Sequence, residues 1–216
     1  MIGRPHIALR AHAAQLAGDE DGSTLVEFSM VISLFLLIFF GLIDFGRLAY
    51  HVVTSERAMH LAAWIATVRP PACPGVPETM LRDAAAPADI DYGTGCSAGG
   101  AICQSPGTVT CLGNAANPTA AEIWARVETT LPPGATIQNL RFTYAYDARL
   151  SFLGGPYVPV VTTELEDVTF QFVTPLGALA RVAGATPGGP EIGADVVLPS
   201  NSVSLPAEDL AQGEAG

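Results

Sequence analysis

The chain has 216 residues, 49% hydrophobic and only 14% charged, with a mean hydropathy of +0.35 and a net charge of −11. Soluble domains average about 25% charged residues, so this composition argues against an ordinary cytosolic enzyme; its apolar character also argues against disorder. Ten arginines, no lysine and 21 acids exclude a nucleic-acid binder that relies on a general basic face.

A hydrophilic leader, residues 1–22, carries Arg4 and Arg10 and ends in Asp19, Glu20, Asp21 and Gly22. Leu25 to Ile43 then forms a 19-residue apolar run whose only charge is Glu27. As a helix it would measure about 28 Å, close to the bilayer core of about 30 Å. A cleaved secretory signal has a shorter apolar region behind a basic start and a small-x-small cut, so a retained span is expected. Arginine counts on the two sides tie, and orientation comes from the cysteines. Cys73, Cys96, Cys103 and Cys111 all follow the span. An even number on one side is expected to form two disulfides in an oxidising compartment, in any of three pairings. They contain no C-x-x-C and have no nearby histidine, so no zinc site is expected.

Glu27 has two readings. In the first, Thr24-x-x-Glu27 is a capping box that starts the helix near the headgroups, and nothing is cut. The second begins from the wider pattern. Gly22-Ser23-Thr24-Leu25-Val26-Glu27-Phe28, an apolar run and Gly41-Leu42-Ile43-Asp44-Phe45-Gly46-Arg47 occur in order. This pattern resembles the TadE-like family of tight-adherence pilus assembly proteins, whose N-termini are similar to those of type IV prepilins and pseudopilins. The resemblance covers about residues 19–69. It implies that prepilin peptidase would cut between Gly22 and Ser23. It implies too that Glu27, followed by Phe28, sets helix register by pairing with a neighbouring subunit's terminal amine. Gly41, Asp44, Phe45, Gly46 and Arg47 match the family motif after the span.

Beyond the span no proline interrupts the chain before Pro70, so a stalk helix should continue to Arg69. Phe45, Leu48, Ala49 and Val52 repeat at helical spacing, and so do Leu61, Trp64, Ile65 and Val68, on a rotated stripe. Asp44 and Arg47 are spaced for an ion pair, with a solvated boundary marker as the plainer reading. His51 and His60 read as surface or packing residues.

Pro71 to Pro118 reads as a long loop region stapled by the cysteines. Thr119-x-x-Glu122 is read as a capping box opening a short helix with Ile123, Val127 and Leu131 on one face. Leu140, Phe142, Tyr144 and Tyr146 alternate with polar or small residues, as a half-buried strand does. Val168, Phe170 and Phe172 alternate in the same way. Tyr157 to Thr163 is β-prone, but Pro159 predicts an edge strand. A late strand is expected within Ala194–Leu198 and Ser202–Leu205. The organisation is α+β: leader 1–22, transmembrane and stalk helix 23–69 with the span at 25–43, disulfide-stapled extracytoplasmic head 70–205 with a short antiparallel sheet, and flexible acidic tail 206–216.

The search for chemistry finds no H-E-x-x-H and no P-loop. All four histidines lie in the leader or the stalk helix. Glu164, Glu166 and Asp167 could be imagined around calcium, but a solvated edge is the simpler reading. No catalytic residue, metal site or cofactor is assigned, and the chain is not expected to be an enzyme. The expected function is that of a pseudopilin-like structural or assembly component of a tight-adherence (Flp-type) pilus or related secretion system. It would be single-pass in the bacterial inner membrane with its head in the periplasm. Small residues Ser29, Ser33 and Gly41 would permit close helix approach. Expected partners are membrane lipid, other pilin-like subunits, the tight-adherence machinery and, if the leader is cut, prepilin peptidase; no nucleic acid is expected. The alternative is a membrane-anchored extracytoplasmic binding or sensor domain unrelated to pili.

Overall fold

Without a proline between residues 21 and 69, the backbone forms one continuous helix, α1, over Asp21–Val68, a length of 48 residues. At about 1.5 Å per residue it measures about 70 Å. Pro70 and Pro71 follow directly, and they lack the N–H groups that would extend it. In the computed structural model residues 21–182, 193–208 and 210 are described; the leader to residue 20 and most of the acidic tail lie outside the described residues. The chain divides into two units, one of residues up to Gly46 with Gln171–Ala194, the other of Arg47–Phe170 with Asp195 onward.

The second unit holds a four-stranded antiparallel sheet in the order β1-β2-β3-β6: β1 is Thr108–Leu112, β2 Leu140–Ala145, β3 Val160–Leu165 and β6 Asn201–Pro206. Register runs Cys111 opposite Phe142, Phe142 opposite Thr163 and Thr163 opposite Val203. Two two-residue strands, β4 (Thr169–Phe170) and β5 (Val196–Val197), pair separately. Helix α2 spans Pro118–Val127. In the first unit, α3 spans Leu176–Val182. The long apolar helix followed by a small antiparallel, disulfide-bonded sheet domain is the α+β arrangement expected from the sequence.

The predicted alternation on β2 holds, with Leu140, Phe142 and Tyr144 fully buried. Four expectations are corrected. The loop between Pro71 and Pro118 contains β1, whose burial alternates too weakly to show as a hydrophobic strand. Pro159 precedes its strand instead of lying within it, so β3 starts at Val160 and is a central strand. The strand expected from Val168 to Val173 keeps ladder pairing at Thr169 and Phe170 alone. The late strand is two: β5 pairs with β4, and β6 pairs with β3.

The predicted stripe on the second half of α1 holds at Ile65 and fails at Leu61 and Trp64. Ala58, Met59, Ala62, Ala63, Ile65 and Ala66 are buried, whereas Trp64 is 58% exposed and Leu61 is exposed as well. The helix turns its small residues inward. Large side chains give the stronger periodic signal, but the inner face needs close approach. The Thr163 hydroxyl on β3 donates to the Met59 carbonyl at 3.2 Å, a contact that bulky neighbours would obstruct.

The helix exit is fixed by three polar contacts. The Ala72 N–H donates to the Tyr144 hydroxyl at 2.8 Å, the Thr119 hydroxyl to the Pro70 carbonyl at 2.7 Å, and the Asn117 side-chain amide to the Pro71 carbonyl at 3.0 Å. Burial pushes the Tyr144 phenol up to about 12, so it stays neutral at physiological pH. Thr119 is thereby diverted from the capping box proposed for it. Asn117 is the N-cap of α2, its side-chain oxygen accepting from the Ala120 N–H at 3.0 Å. Glu122 pairs instead with Arg126 at 2.8 Å and Arg69 at 3.3 Å. Ile123, Val127 and Leu131 are buried as expected.

Two disulfides form from the four cysteines: Cys73–Cys111 closes a separation of 38 residues, and Cys96–Cys103 one of 7. The first ties the segment after α1 to β1.

Candidate membrane and assembly helix

The first half of α1 exposes apolar side chains on every side. Leu25, Val26, Phe28, Met30, Val31, Leu34, Phe35, Ile38 and Leu42 are all exposed. Its most apolar 18-residue window has a mean hydropathy of 2.5, and none of that window is buried. A helix that is apolar all round suits a core or a membrane, and no protein core surrounds this one. Two of its serine hydroxyls are satisfied locally. The Ser29 hydroxyl donates to the Val26 carbonyl and the Ser33 hydroxyl to the Ser29 carbonyl, each at 2.7 Å. A Cβ built at Gly41 or Gly46 meets nothing within 4 Å, so the helix backbone is bare there.

Gly22, Thr24, Glu27 and Phe28 lie within this helix and are exposed; Ser23 is helical too. Thr24 has three helical residues before it, so it cannot be an N-cap, which has non-helical geometry. The capping-box reading of Thr24 and Glu27 therefore fails. What remains is a carboxylate on the surface of an apolar helix, a costly group in hydrocarbon without a partner.

At the other end of the run, Asp44 is fully buried, against the expectation of a solvated marker. One of its carboxylate oxygens accepts the Thr174 N–H at 3.0 Å and the Thr174 hydroxyl. Phe45 meets Phe172 edge-on, ring centroids 5.6 Å apart. In the second unit, the Arg47 guanidinium lies 5.5 Å over the Phe170 ring, and His51 packs 5.8 Å from the same ring. Burial, then the charge of Arg47, pushes the His51 imidazole below its ordinary range. Of the post-span motif, then, Asp44 and Phe45 make tertiary contacts with residues 172–174, which sequence spacing could not reveal.

Elsewhere the expected polar features dissolve into structural roles. Arg141 pairs with Glu166 beside Glu164, which answers part of that acidic run. No cluster of three or more potential metal ligands occurs among the described residues. Gly95-Cys96-Ser97-Ala98-Gly99 has the G-x-S-x-G spacing, so its geometry matters. A nucleophile elbow needs a strand entering and a helix leaving. Here Cys96 is bonded to Cys103, and the Ala98 N–H closes a turn onto the Gly95 carbonyl at 3.0 Å. The segment is a stapled turn. A polar cleft of about 480 Å³ lies between α1 and β6, lined by Glu56, His60, Ser202 and Ser204 among others.

Gly22 and the buried alanines 58–66 lie on one helix, α1. Residues 22–64 match the family model of TadE-like protein. The match covers both halves of the motif, Gly22 to Phe28 and Gly41 to Arg47, and bears out the TadE-like resemblance. No curated protein and no solved structure matches the chain. The TadE-like match associates the chain with the tight-adherence pilus. Among the described residues one N-terminal helix is long and apolar enough to cross a membrane, a membrane-type anchor.

Proposed function

We propose that this chain is a pseudopilin-like structural or assembly component of a tight-adherence (Flp-type) pilus or related secretion system. Anchored in the inner membrane by α1, it presents its disulfide-bonded head in the periplasm. The observation that carries this reading is the exposed Glu27 on an apolar helix whose start is not capped by it. A buried ion pair with a neighbouring subunit's amine would satisfy that carboxylate, and the amine would be Ser23's after cleavage following Gly22. Gly41 and Gly46, with Ser29 and Ser33, let a second helix approach closely. The partners on this reading are lipid, pilin-like helices, the tight-adherence machinery and prepilin peptidase. The two disulfides favour an oxidising compartment for the head.

Intact-mass analysis of the membrane form tests the cleavage, with Ser23 expected at the N-terminus. Glu27→Ala is expected to insert normally and fail to enter the assembly. A full-length leader together with normal assembly of Glu27→Ala would overturn the reading.

The polar cleft at Glu56, His60 and β6 favours one other reading, a membrane-anchored binding domain. That reading expects an uncut leader and a Glu27→Ala variant with unchanged behaviour.

A further inference from the structure

The structure points to a second membrane contact: we propose that Phe172–Thr174 lies in the interfacial layer of the bilayer that Leu25–Ile43 crosses, with Val173 seated against lipid. This rests on reading Leu25–Ile43 as the span. Asp44 and Phe45 are the first two residues beyond that run, so their Cα atoms lie within about 3 Å of its end along the helix. The headgroup layer on each side of the hydrocarbon core is about 5–8 Å deep. Thr174 is bound to Asp44 through its N–H at 3.0 Å and through its hydroxyl. Phe172 holds Phe45 at 5.6 Å between ring centroids. These contacts hold residues 172–174 beside the residues at the span's end.

Val173 lies between the two fixed residues and is 72% exposed. At the same level on the helix Leu42 is 70% exposed, and Ile43 and Phe45 are exposed too. Those side chains belong to the end of the span, whose occupant is lipid, and the shared depth assigns the same occupant to Val173. The charge that would oppose burial, Asp44, is already enclosed and hydrogen-bonded by Thr174. The contact is apolar, so the strongly acidic composition of residues 70–216 does not oppose it.

The test uses the full chain reconstituted in phosphatidylcholine vesicles under non-reducing conditions, which keep the native cysteines in their disulfides. An environment-sensitive fluorophore is placed by Val173→Cys, with Leu42→Cys as the span control and Tyr92→Cys, 77% exposed in the second unit, as the water control. Lipids brominated near the headgroup end of the acyl chain are expected to quench the label at 173 as they quench the label at 42. The label at 92 should keep its emission. Quenching at 42 without quenching at 173 overturns the proposal and leaves the span intact. A blue-shifted label at 173 that bromine does not reach means a protein partner, and also overturns it. Loss of quenching at 42 itself overturns the span reading, and this proposal with it.

Discussion

Thr174 directs both its backbone N–H, at 3.0 Å, and its hydroxyl onto a single carboxylate oxygen of Asp44, a residue 130 positions earlier. Asp44→Ala would remove the charged acceptor from that part-buried N–H, a loss of about 3 kcal/mol at most. Asp44→Asn keeps an oxygen in place and should lose less. Hydrogen exchange of the full chain in lipid is the measurement. Thr174 should exchange faster in both variants, most in the alanine form, and unchanged protection would show that the bond holds nothing.

The two disulfides differ in the loop they close, 38 residues against 7. On the chain-entropy estimate the longer loop contributes about 4 kcal/mol and the shorter about 2 kcal/mol. Replacing Cys73 and Cys111 together by serine should therefore lower the head's denaturant midpoint more than replacing Cys96 and Cys103 together. The reverse order would mean that Cys96–Cys103 supports native packing beyond its own loop.

The buried face of α1's second half is rich in alanine, with Ala58, Ala62, Ala63 and Ala66 on it. Ala62→Leu adds bulk at a fully buried site and should cost about 1–3 kcal/mol through overpacking. Trp64→Ala, on the exposed face, should stay within about 0.5 kcal/mol, the range of ordinary surface substitutions. Thermal melts of the two variants in the same detergent would compare them. A large loss from Trp64→Ala with none from Ala62→Leu would reverse the assigned faces.

His51 titrates below its ordinary value because of burial first and Arg47 second. An unfolded histidine has a pKa of about 6.5, so between that value and the lower folded one the unfolded chain binds more protons. Stability therefore rises with pH in that window. The contribution is whole above about pH 6.5 and is lost as pH falls through the folded pKa. Urea midpoints at about pH 7.5 and about pH 5.5 should differ more for the natural chain than for His51→Gln. Equal differences would remove His51 from the account.

The sequence revealed the features that local chemistry writes strongly. An apolar run with one charge, a proline stop and the alternation of Leu140 to Tyr144 each follow from a single dominant preference. Where two residues far apart share the decision, the pattern misled. Thr119 looked like a cap until Pro70, 49 positions away, claimed its hydroxyl. Asp44 looked solvated because nothing near it in sequence announces Thr174. Leu61 and Trp64 drew part of the helix stripe off the buried face, since alanine carries little hydrophobic signal though it allows close packing. β1 was lost among glycines and prolines because its ladder, more than its side chains, makes it a strand.

The position of β6 has a bearing on the order in which the second unit can fold. β1, β2 and β3 follow one another, but β3 gains its second neighbour only from Asn201–Pro206, and the Glu208 N–H then reaches back to the Thr67 carbonyl at 3.1 Å. A chain stopped short of Asn201 would hold three strands of this sheet and leave β3 with an open hydrogen-bonding edge, a template for aggregation. The four-stranded sheet is thus complete only once the last strand is in place, and a truncated product should be degraded faster by proteases than the full chain.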